Sequence, residues 1–432
     1  KLKIDWNVFR AGTHKSFVEP YTRNDMSDED RSSLSRILEQ LWSVYKDGIS
    51  NARGIAPEQI DEMIAGFVQQ LETSDVSAAG VAVNLGLVDD LLTRQQLRDR
   101  IATFAGRDKK DPSGYRAAAM YDYVAQMRLL DGAPAEASKI AVVVASGDIL
   151  DGYQSPGTIG GESTAGLLAK ARLDDNVKAV VLRVDSPGGS SFASEIIRHE
   201  VLALRAAGKP VVASMSSVAA SGGYWISMAA DQIVASESTI TGSIGVFGMF
   251  PTFERSLAAL GVYTDGVGTS SMAGMLRPDR AMSAESQRLM QALIDDTYVE
   301  FIGKVADHRG MTTEAVDRIA QGQIWTGRDA LDNGLVDQIG EFADAVATAA
   351  DLASLAEGDY SLQYIEPELS PGELFVLQLL GGAKSLGVDI AGIGREPSAL
   401  RRVAGYLEAA LRPFARFNDP RGVYSYCFCN IE

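Results

Sequence analysis

The sequence predicts an α/β protein in which parallel strands alternate with helices, built from βαβ units duplicated in tandem. Three observations predict it. Short β-branched apolar runs at 140–145, 179–184 and 211–215 are each followed by a stretch with helical spacing, and strands that alternate with helices pair in parallel. Two distant parts of the chain share a spacing pattern. The composition, 46% apolar and 22% charged over 432 residues, is that of a globular protein with two or three domains and ample core.

The duplication is read from fixed offsets. Gly12-Thr13-His14-Lys15, Met26-Ser27 and Arg53-Gly54 are echoed by Gly268-Thr269-Ser270-Ser271, Met282-Ser283 and Arg309-Gly310, and 269−13, 282−26 and 309−53 all equal 256. Gly86-Leu87-Val88-Asp89 and Gly334-Leu335-Val336-Asp337 repeat at offset 248. A register kept this long marks a duplicated unit. About 130 residues of strand and helix pattern precede Gly268, and eleven precede Gly12. The chain is therefore expected to start inside its first copy, with strands, a signal or a membrane anchor upstream. The organisation that follows is the end of a first copy at 1–91, a partly helical linker at 92–135, a complete second copy at 136–354, and an extension at 355–432.

Within the complete copy, the strands at 140–145, 179–184 and 211–215 are joined by further strands at Gln232–Ala235 and 262–264. Helices are expected near 163–173, over 194–207, from Ser221, over Ala284–Arg309 and over 313–320. The net charge of −17 disfavours nucleic acid and offers no basic patch for anionic lipid. The most apolar stretch, 374–380, is followed by Gly381-Gly382-Ala383 and broken by Lys384 and Asp389, so it reads as a short helix and a loop rather than a span. The opening Lys1-Leu2-Lys3-Ile4-Asp5-Trp6 is not a signal peptide. Cys427 and Cys429 are one residue apart, a spacing that strains a bridge, and no other metal-ligand type clusters nearby. They read as a frayed tail.

Chemistry concentrates in two corners. The stretch 211–225 opens as a buried strand and closes with Tyr224, Trp225, Met228 and Ala229 at helical spacing. Between them lies a small-residue elbow, Ala219-Ala220-Ser221-Gly222-Gly223, which lets a substrate or backbone approach closely. A serine at a helix N-terminus is surrounded by free N–H groups and the positive dipole end. Nucleophilic serines use that setting, and so do serines that merely cap helices. Asp185-Ser186-Pro187-Gly188-Gly189-Ser190 is the second corner. Its glycines expose N–H groups that suit an oxyanion hole or a phosphate cradle. The spacing matches neither dinucleotide nor P-loop signatures. A base for Ser221 comes from His14, His199, His308 or a lysine. His199 stands four residues after Glu195 on a solvated helix face, and His308 closes a helix where the dipole favours a cation. A Ser–Lys dyad needs a lysine whose pKa is lowered by burial.

Ser186-Pro187-Gly188-Gly189, Ala219-Ala220-Ser221-Gly222-Gly223-Tyr224-Trp225 and Thr241-Gly242-Ser243-Ile244-Gly245 together resemble the bacterial signal peptide peptidase A (protease IV) family. Phe9-Arg10-Ala11-Gly12-Thr13-His14-Lys15-Ser16-Phe17-Val18-Glu19-Pro20 resembles the end of the first half of its long, tandem form. The resemblance runs from Lys1 to about Tyr364. It implies a ClpP/crotonase-like fold and peptide-bond hydrolysis by a Ser–Lys dyad. Ser221 then matches the nucleophile, Lys15 the general base and Ser243 the serine that holds the lysine. Gly188, Gly189 and Gly222 sit where the oxyanion hole forms. No metal and no cofactor is implied. The implied partners are cleaved signal peptides and other unfolded apolar peptides. The implied assembly is a homotetramer, anchored to the bacterial inner membrane by a segment this chain lacks, with its catalytic part on the extracytoplasmic side.

The repeat adds an argument of its own. Lys15 plus 256 is Ser271, so the copy that carries the serine has no lysine at the equivalent place. One site divided between two copies explains that asymmetry. The resulting expectation is a serine endopeptidase that degrades signal peptides after their release in the membrane. An acyl-CoA enzyme of the crotonase type and a non-catalytic scaffold of the same fold are the alternatives.

Overall fold

The computed structural model describes residues 3–73, 77–111, 113–130, 138–270, 272–367 and 418–427. Ser271, Cys429 and the short helix expected at 374–380 lie outside the described residues. The chain falls into two compact units, Lys1–Ile37 with Ala137–Glu432, and Leu38–Glu136.

The first unit begins with β1 (Asp5–Ala11), a single 3₁₀ turn at Ser16–Val18, and α1 (Glu19–Thr22). The helix α2 (Asp28–Arg53) runs across the boundary between the units. The second unit holds α3 (Pro57–Thr73), α4 (Ala78–Asn84), α5 (Arg94–Ala105) and α6 (Met120–Leu130). Its ends follow capping chemistry. Ser77 accepts from the Gly80 N–H at 3.2 Å, and Thr93 with Gln96 closes a capping box on α5. The last two helices give residues 92–135 their helical content.

The first unit resumes with β2 (Ser138–Ser146), β3 (Ile149–Leu150), β4 (Ile159–Gly160), α7 (Gly161–Leu173), β5 (Val177–Ser186), β6 (Gly188–Ser190) and α8 (Ser191–Ala206). The elbow region follows as β7 (Val211–Ala220) and α9 (Gly222–Ser227), then β8 (Gln232–Ala235), β9 (Ile240–Gly242), β10 (Val246–Thr252) and α10 (Glu254–Ala259). The remainder is α11 (Ala284–Arg309), α12 (Thr313–Ile319), β11 (Ile324–Thr326), α13 (Gly327–Asp332), β12 (Gln338–Ile339), α14 (Phe342–Leu352), β13 (Tyr360–Tyr364) and β14 (Tyr424–Tyr426).

One sheet has the order β11-β9-β7-β5-β2-β13, with β8 also on β7 and β12 on β8. All its pairs are parallel except β11 with β9. A parallel sheet is covered on both faces, which is why β2, β5 and β7 read as near-continuous apolar runs. On one face Val143, Leu182 and Ala213 meet Leu168, Ile197 and Val201 from α7 and α8. On the other Val142, Val181 and Val212 meet Ala345, Val346 and Ala349 from α14. The α/β class with parallel βαβ units is the one the sequence predicted. The second sheet has the order β1-β10-β14-β6-β3-β4. Pro187, which lacks an N–H, separates β5 in the first sheet from β6 in the second.

The duplication is visible in the helices. α2 and α11 each have 26 residues, and their first and last residues differ by 256. Arg53 donates to the Gly86 carbonyl at 2.8 Å and pairs with Asp89; Arg309 donates to the Gly334 carbonyl at 2.8 Å and pairs with Asp337.

The strand expected at 262–264 is absent. Its counterpart 256 positions earlier lies in β1, where Trp6 pairs with Pro251 and Val8 with Met249 of β10. Residues 262–264 have no strand partner among the described residues, and Tyr263 is exposed. A sequence that can form a strand forms one only against an edge.

Candidate active site

The polar centre forms where three turns meet. The first is the elbow. Strand β7 ends at Ala220, and Ser221 takes φ +58° and ψ −111° before α9 begins. A non-glycine residue held in that region costs about 1–3 kcal/mol and persists only where its surroundings fix it. Here the Ser221 N–H donates to the Gly242 carbonyl at 2.8 Å, and Trp225 N–H closes back on the Ser221 carbonyl at 2.9 Å. The glycine after next is a packing requirement, because a Cβ on Gly223 would stand 2.6 Å from the Ser186 carbonyl oxygen. Trp225 anchors the helix. Its ring lies 4.3 Å from that of Phe301, and its indole N–H donates to Glu195 at 2.7 Å.

The second turn carries Lys15. Pairing of β1 with β10 runs to Ala11 opposite Val246, which delivers the chain beside Ser243. Gly12, at φ +111°, then turns the backbone against residues 321–322, where a Cβ would stand 2.6 Å from the Gln321 carbonyl carbon. The His14 N–H donates to the Gln321 carbonyl at 2.7 Å and fixes the turn. The third turn is Gly242-Ser243, held by the Ser243 N–H on the Gln323 carbonyl at 2.7 Å.

Lys15 Nζ donates to Ser221 Oγ at 2.7 Å, and to Ser243 Oγ and the Ser243 carbonyl, both at 3.0 Å. Lys15, Ser221 and Ser243 are 1%, 0% and 2% exposed. Burial without a paired carboxylate holds the Lys15 amine well below the ordinary lysine value. The arrangement is a hydroxyl with a dry, weakly basic amine in hydrogen-bond contact.

The glycine corner stands beside it. Gly188 and Gly189 have φ +107° and +157°, and neither can carry a side chain. A Cβ would stand 2.1 Å from the Ser425 carbonyl oxygen at Gly188, and 1.9 Å from that of Ile149 at Gly189. The Gly188 N–H donates to Ser186 Oγ at 3.1 Å, so this glycine contributes shape more than a donor. A Cβ on Gly222 would stand 3.0 Å from the same Ser425 oxygen, so Gly188 and Gly222 frame one small space.

The histidines lie elsewhere. His14 meets Ser33 Oγ at 3.2 Å, and His199 meets Glu195 at 2.8 Å on an exposed face. His308 takes Arg198 as partner at 3.0 Å, and burial together with that guanidinium lowers its pKa. Burial first, and the Arg198 and Arg205 guanidinium groups second, thus work against the cation expected at this helix end.

The expectation of a frayed tail is corrected for the described residues 418–427. Tyr424–Tyr426 is a strand in the second sheet and Cys427 is disulfide-bonded, so this part is not frayed. Ser425 Oγ lies 2.6 Å from Ser221 Oγ. The signal was present in the sequence. Asn418-Asp419-Pro420 marks a turn, and the residues after Gly422 alternate as a strand does.

Fold, comparisons and polar centre define an α/β serine peptidase. The model described as Peptidase family S49 matches residues 1–106 and 203–356, and the chain belongs to this family. A match in two segments accords with the tandem duplication. The chain is 43% identical to "Protease 4" of Salmonella typhi over 99% of its own length and 68% of that protein. It is 38% identical to "Protease 4" of Haemophilus influenzae over 99% of its own length and 69% of that protein. It is also 33% identical to "Serine protease SPPA, chloroplastic" of Arabidopsis thaliana, over 82% of its length and 52% of that protein. Among the described residues no helix is long and apolar enough to cross a membrane.

Proposed function

We propose that this peptidase works through a Ser221–Lys15 dyad and takes cleaved signal peptides and other unfolded apolar peptides as substrates. The observation that carries the reading is the 2.7 Å contact between Lys15 Nζ and Ser221 Oγ in a site closed to water. Neutral Lys15 takes the Ser221 proton as Oγ attacks the substrate carbonyl carbon. The oxyanion that forms is held by the N–H groups of Gly189 and Gly222, with Gly188 leaving it room. Protonated Lys15 returns its proton to the departing amine, and the acyl-enzyme remains on Ser221. Water then attacks the ester and gives a proton to Lys15, which passes it to Ser221 Oγ as the acyl–oxygen bond breaks, so that the carboxylic acid leaves and the dyad is restored. Ser243 keeps Lys15 aimed through two bonds at 3.0 Å.

In this reading residues 1–91 end a first copy and supply the lysine, 92–135 link, 136–354 form the second copy and supply the serine, and 355–432 extend it. A homo-oligomer, in its fullest form a tetramer, and attachment to the extracytoplasmic face of the bacterial inner membrane through a further segment complete the proposal.

A fluorophosphonate probe with mass mapping of the adduct tests it. The adduct is expected on Ser221 and absent in Ser221→Ala. Lys15→Arg is expected to stay inactive, because arginine keeps its proton at any working pH. An adduct on another serine, or turnover by Lys15→Arg, would overturn the dyad.

A further inference from the structure

The nucleophile is sealed by the chain itself. Strand β14 lies between β10 and β6, antiparallel to both, with Phe247 opposite Tyr424 and with Tyr424, Ser425 and Tyr426 opposite Ser190, Gly189 and Gly188. The Ser191 N–H donates to the Val423 carbonyl at 3.2 Å, and the Cys427 N–H to the Pro187 carbonyl at 2.7 Å. In an antiparallel pair hydrogen-bonded positions recur every second residue. Ser425 and Gly189 therefore fall in the bonding phase, midway between those two contacts. The Ser425 carbonyl oxygen is the atom that crowds both Gly188 and Gly222, and Ser425 Oγ meets Ser221 Oγ at 2.6 Å. An extended backbone with a small residue beside the nucleophile, and its carbonyl against the glycine corner, is how a peptide substrate would lie.

The strand is also clasped from outside the groove. The Asp419 carboxylate accepts from Ser190 Oγ at 2.6 Å, the Phe192 N–H at 3.0 Å and Ser191 Oγ at 3.4 Å, at the start of α8. Its other oxygen accepts from the Arg421 and Val423 N–H groups at 2.8 and 3.2 Å and so shapes the turn that feeds the strand. Asn418 pairs with the backbone of Asp151, and the Tyr426 hydroxyl donates to Asp148 at 3.0 Å. Tyr426 also sets its ring edge-on to Phe17, two residues from Lys15.

We propose that the segment 418–427 is an intramolecular occupant of the peptide groove. Val423 and Ser425 hold the acyl-side positions, and Asp419 is the clasp that keeps the segment there. No peptide reaches Ser221 until the segment leaves. This rests on the Ser221 reading above.

The test compares the full chain, Asp419→Ala, and a chain ending at residue 417. The readouts are the rate of fluorophosphonate labelling of Ser221 and the hydrolysis of an apolar fluorogenic peptide. Loss of the carboxylate bonds is expected to raise the labelling rate at least tenfold, and removal of the strand at least as much. A synthetic peptide of sequence NDPRGVYSYC is expected to inhibit the shortened chain competitively, raising KM and leaving kcat unchanged. The same peptide with tryptophan in place of its serine, Ser425→Trp in chain numbering, is expected not to inhibit. If the shortened chain fails to fold, Asp419→Ala in the full chain decides. Equal labelling rates in the full chain and Asp419→Ala would overturn the proposal. Ser221 left unlabelled in every variant would instead remove the nucleophile assignment, and the proposal with it.

Discussion

Replacing Lys15 by methionine separates the chemistry of the amine from its cost. Lysine at this place makes three hydrogen bonds and is almost wholly buried; methionine keeps the stem and loses the charge. Removing a general base costs about 10²–10⁴-fold in rate, or about 3–5 kcal/mol of transition-state stabilisation. The stability effect carries a sign. Burial lowers the Lys15 pKa in the fold below its ordinary value of 10.5. Between the folded and unfolded values, the unfolded chain holds a proton that the folded chain lacks. Stability therefore rises with pH across that window, by up to about 1.4 kcal/mol per pH unit for one proton. Below the folded value the Lys15 contribution is constant. Urea unfolding of wild type and Lys15→Met, followed by tryptophan fluorescence from pH 6 to 11, reads the difference between them. The difference is expected to move toward wild type as pH rises and to level off near 10.5. Peptidase activity of the wild type is expected to climb over the same lowered pKa as the amine loses its proton. Parallel stability curves, or a flat pH–rate profile with acylation shown to be rate-limiting, would refute a desolvated base at this place.

Trp225→Ala empties the space against Phe301 and removes one donor from Glu195, which keeps Arg198 and Lys304, and is expected to cost about 3–5 kcal/mol in thermal or urea unfolding. Trp225→Phe, which loses chiefly the indole bond, should cost less than half of that. Gly189→Ala has nowhere to place its Cβ, 1.9 Å from the Ile149 carbonyl oxygen, and is expected to lose activity and lower the melting temperature together. Arg309→Ala and Arg53→Ala delete the same contact in the two copies. Arg309 and Asp337 are 10% and 23% exposed, whereas Asp89 is 77% exposed. The first deletion should cost about 3 kcal/mol and the second under about 1, read as the shift in urea midpoint at constant slope.

The parallel sheet was legible because its signal is local. β2, β5 and β7 are covered on both faces, so each shows a near-continuous apolar run, and α11 announces itself between Ser283, which caps it, and Gly310, which ends it at φ +62°. The second sheet was not legible, because its pairings join residues far apart in sequence. Nothing near Asp5 says that β10 will lie beside β1, and nothing near Tyr424 points to Gly189. The glycine corner and the elbow could be found from their small residues. The strand at 424–426 was hidden by its place beside two cysteines, where the expectation of fraying outweighed the turn that precedes it. Lys15 was reached through family resemblance and the repeat, because a buried lysine has no local mark; its desolvation is supplied by residues 221, 243 and 322.

The unit of duplication and the unit of packing differ, and the difference accounts for the site. The 256-residue register pairs α2 with α11 and Lys15 with Ser271, so by descent Lys15 belongs with the first copy. By packing, Lys1–Ile37 belongs with Ala137–Glu432, because β1 completes the sheet that β10 begins. Strand β1 takes the edge that β10 offers, and the turn that follows it travels along. The segment 261–267 stands in the equivalent position and has no strand partner among the described residues. The same register position is a strand where it meets an edge, at β1, and an unpaired stretch where it meets none among the described residues. Lys15 thus comes within 2.7 Å of Ser221 through the pairing of β1 with β10, while the position 256 residues later is a serine.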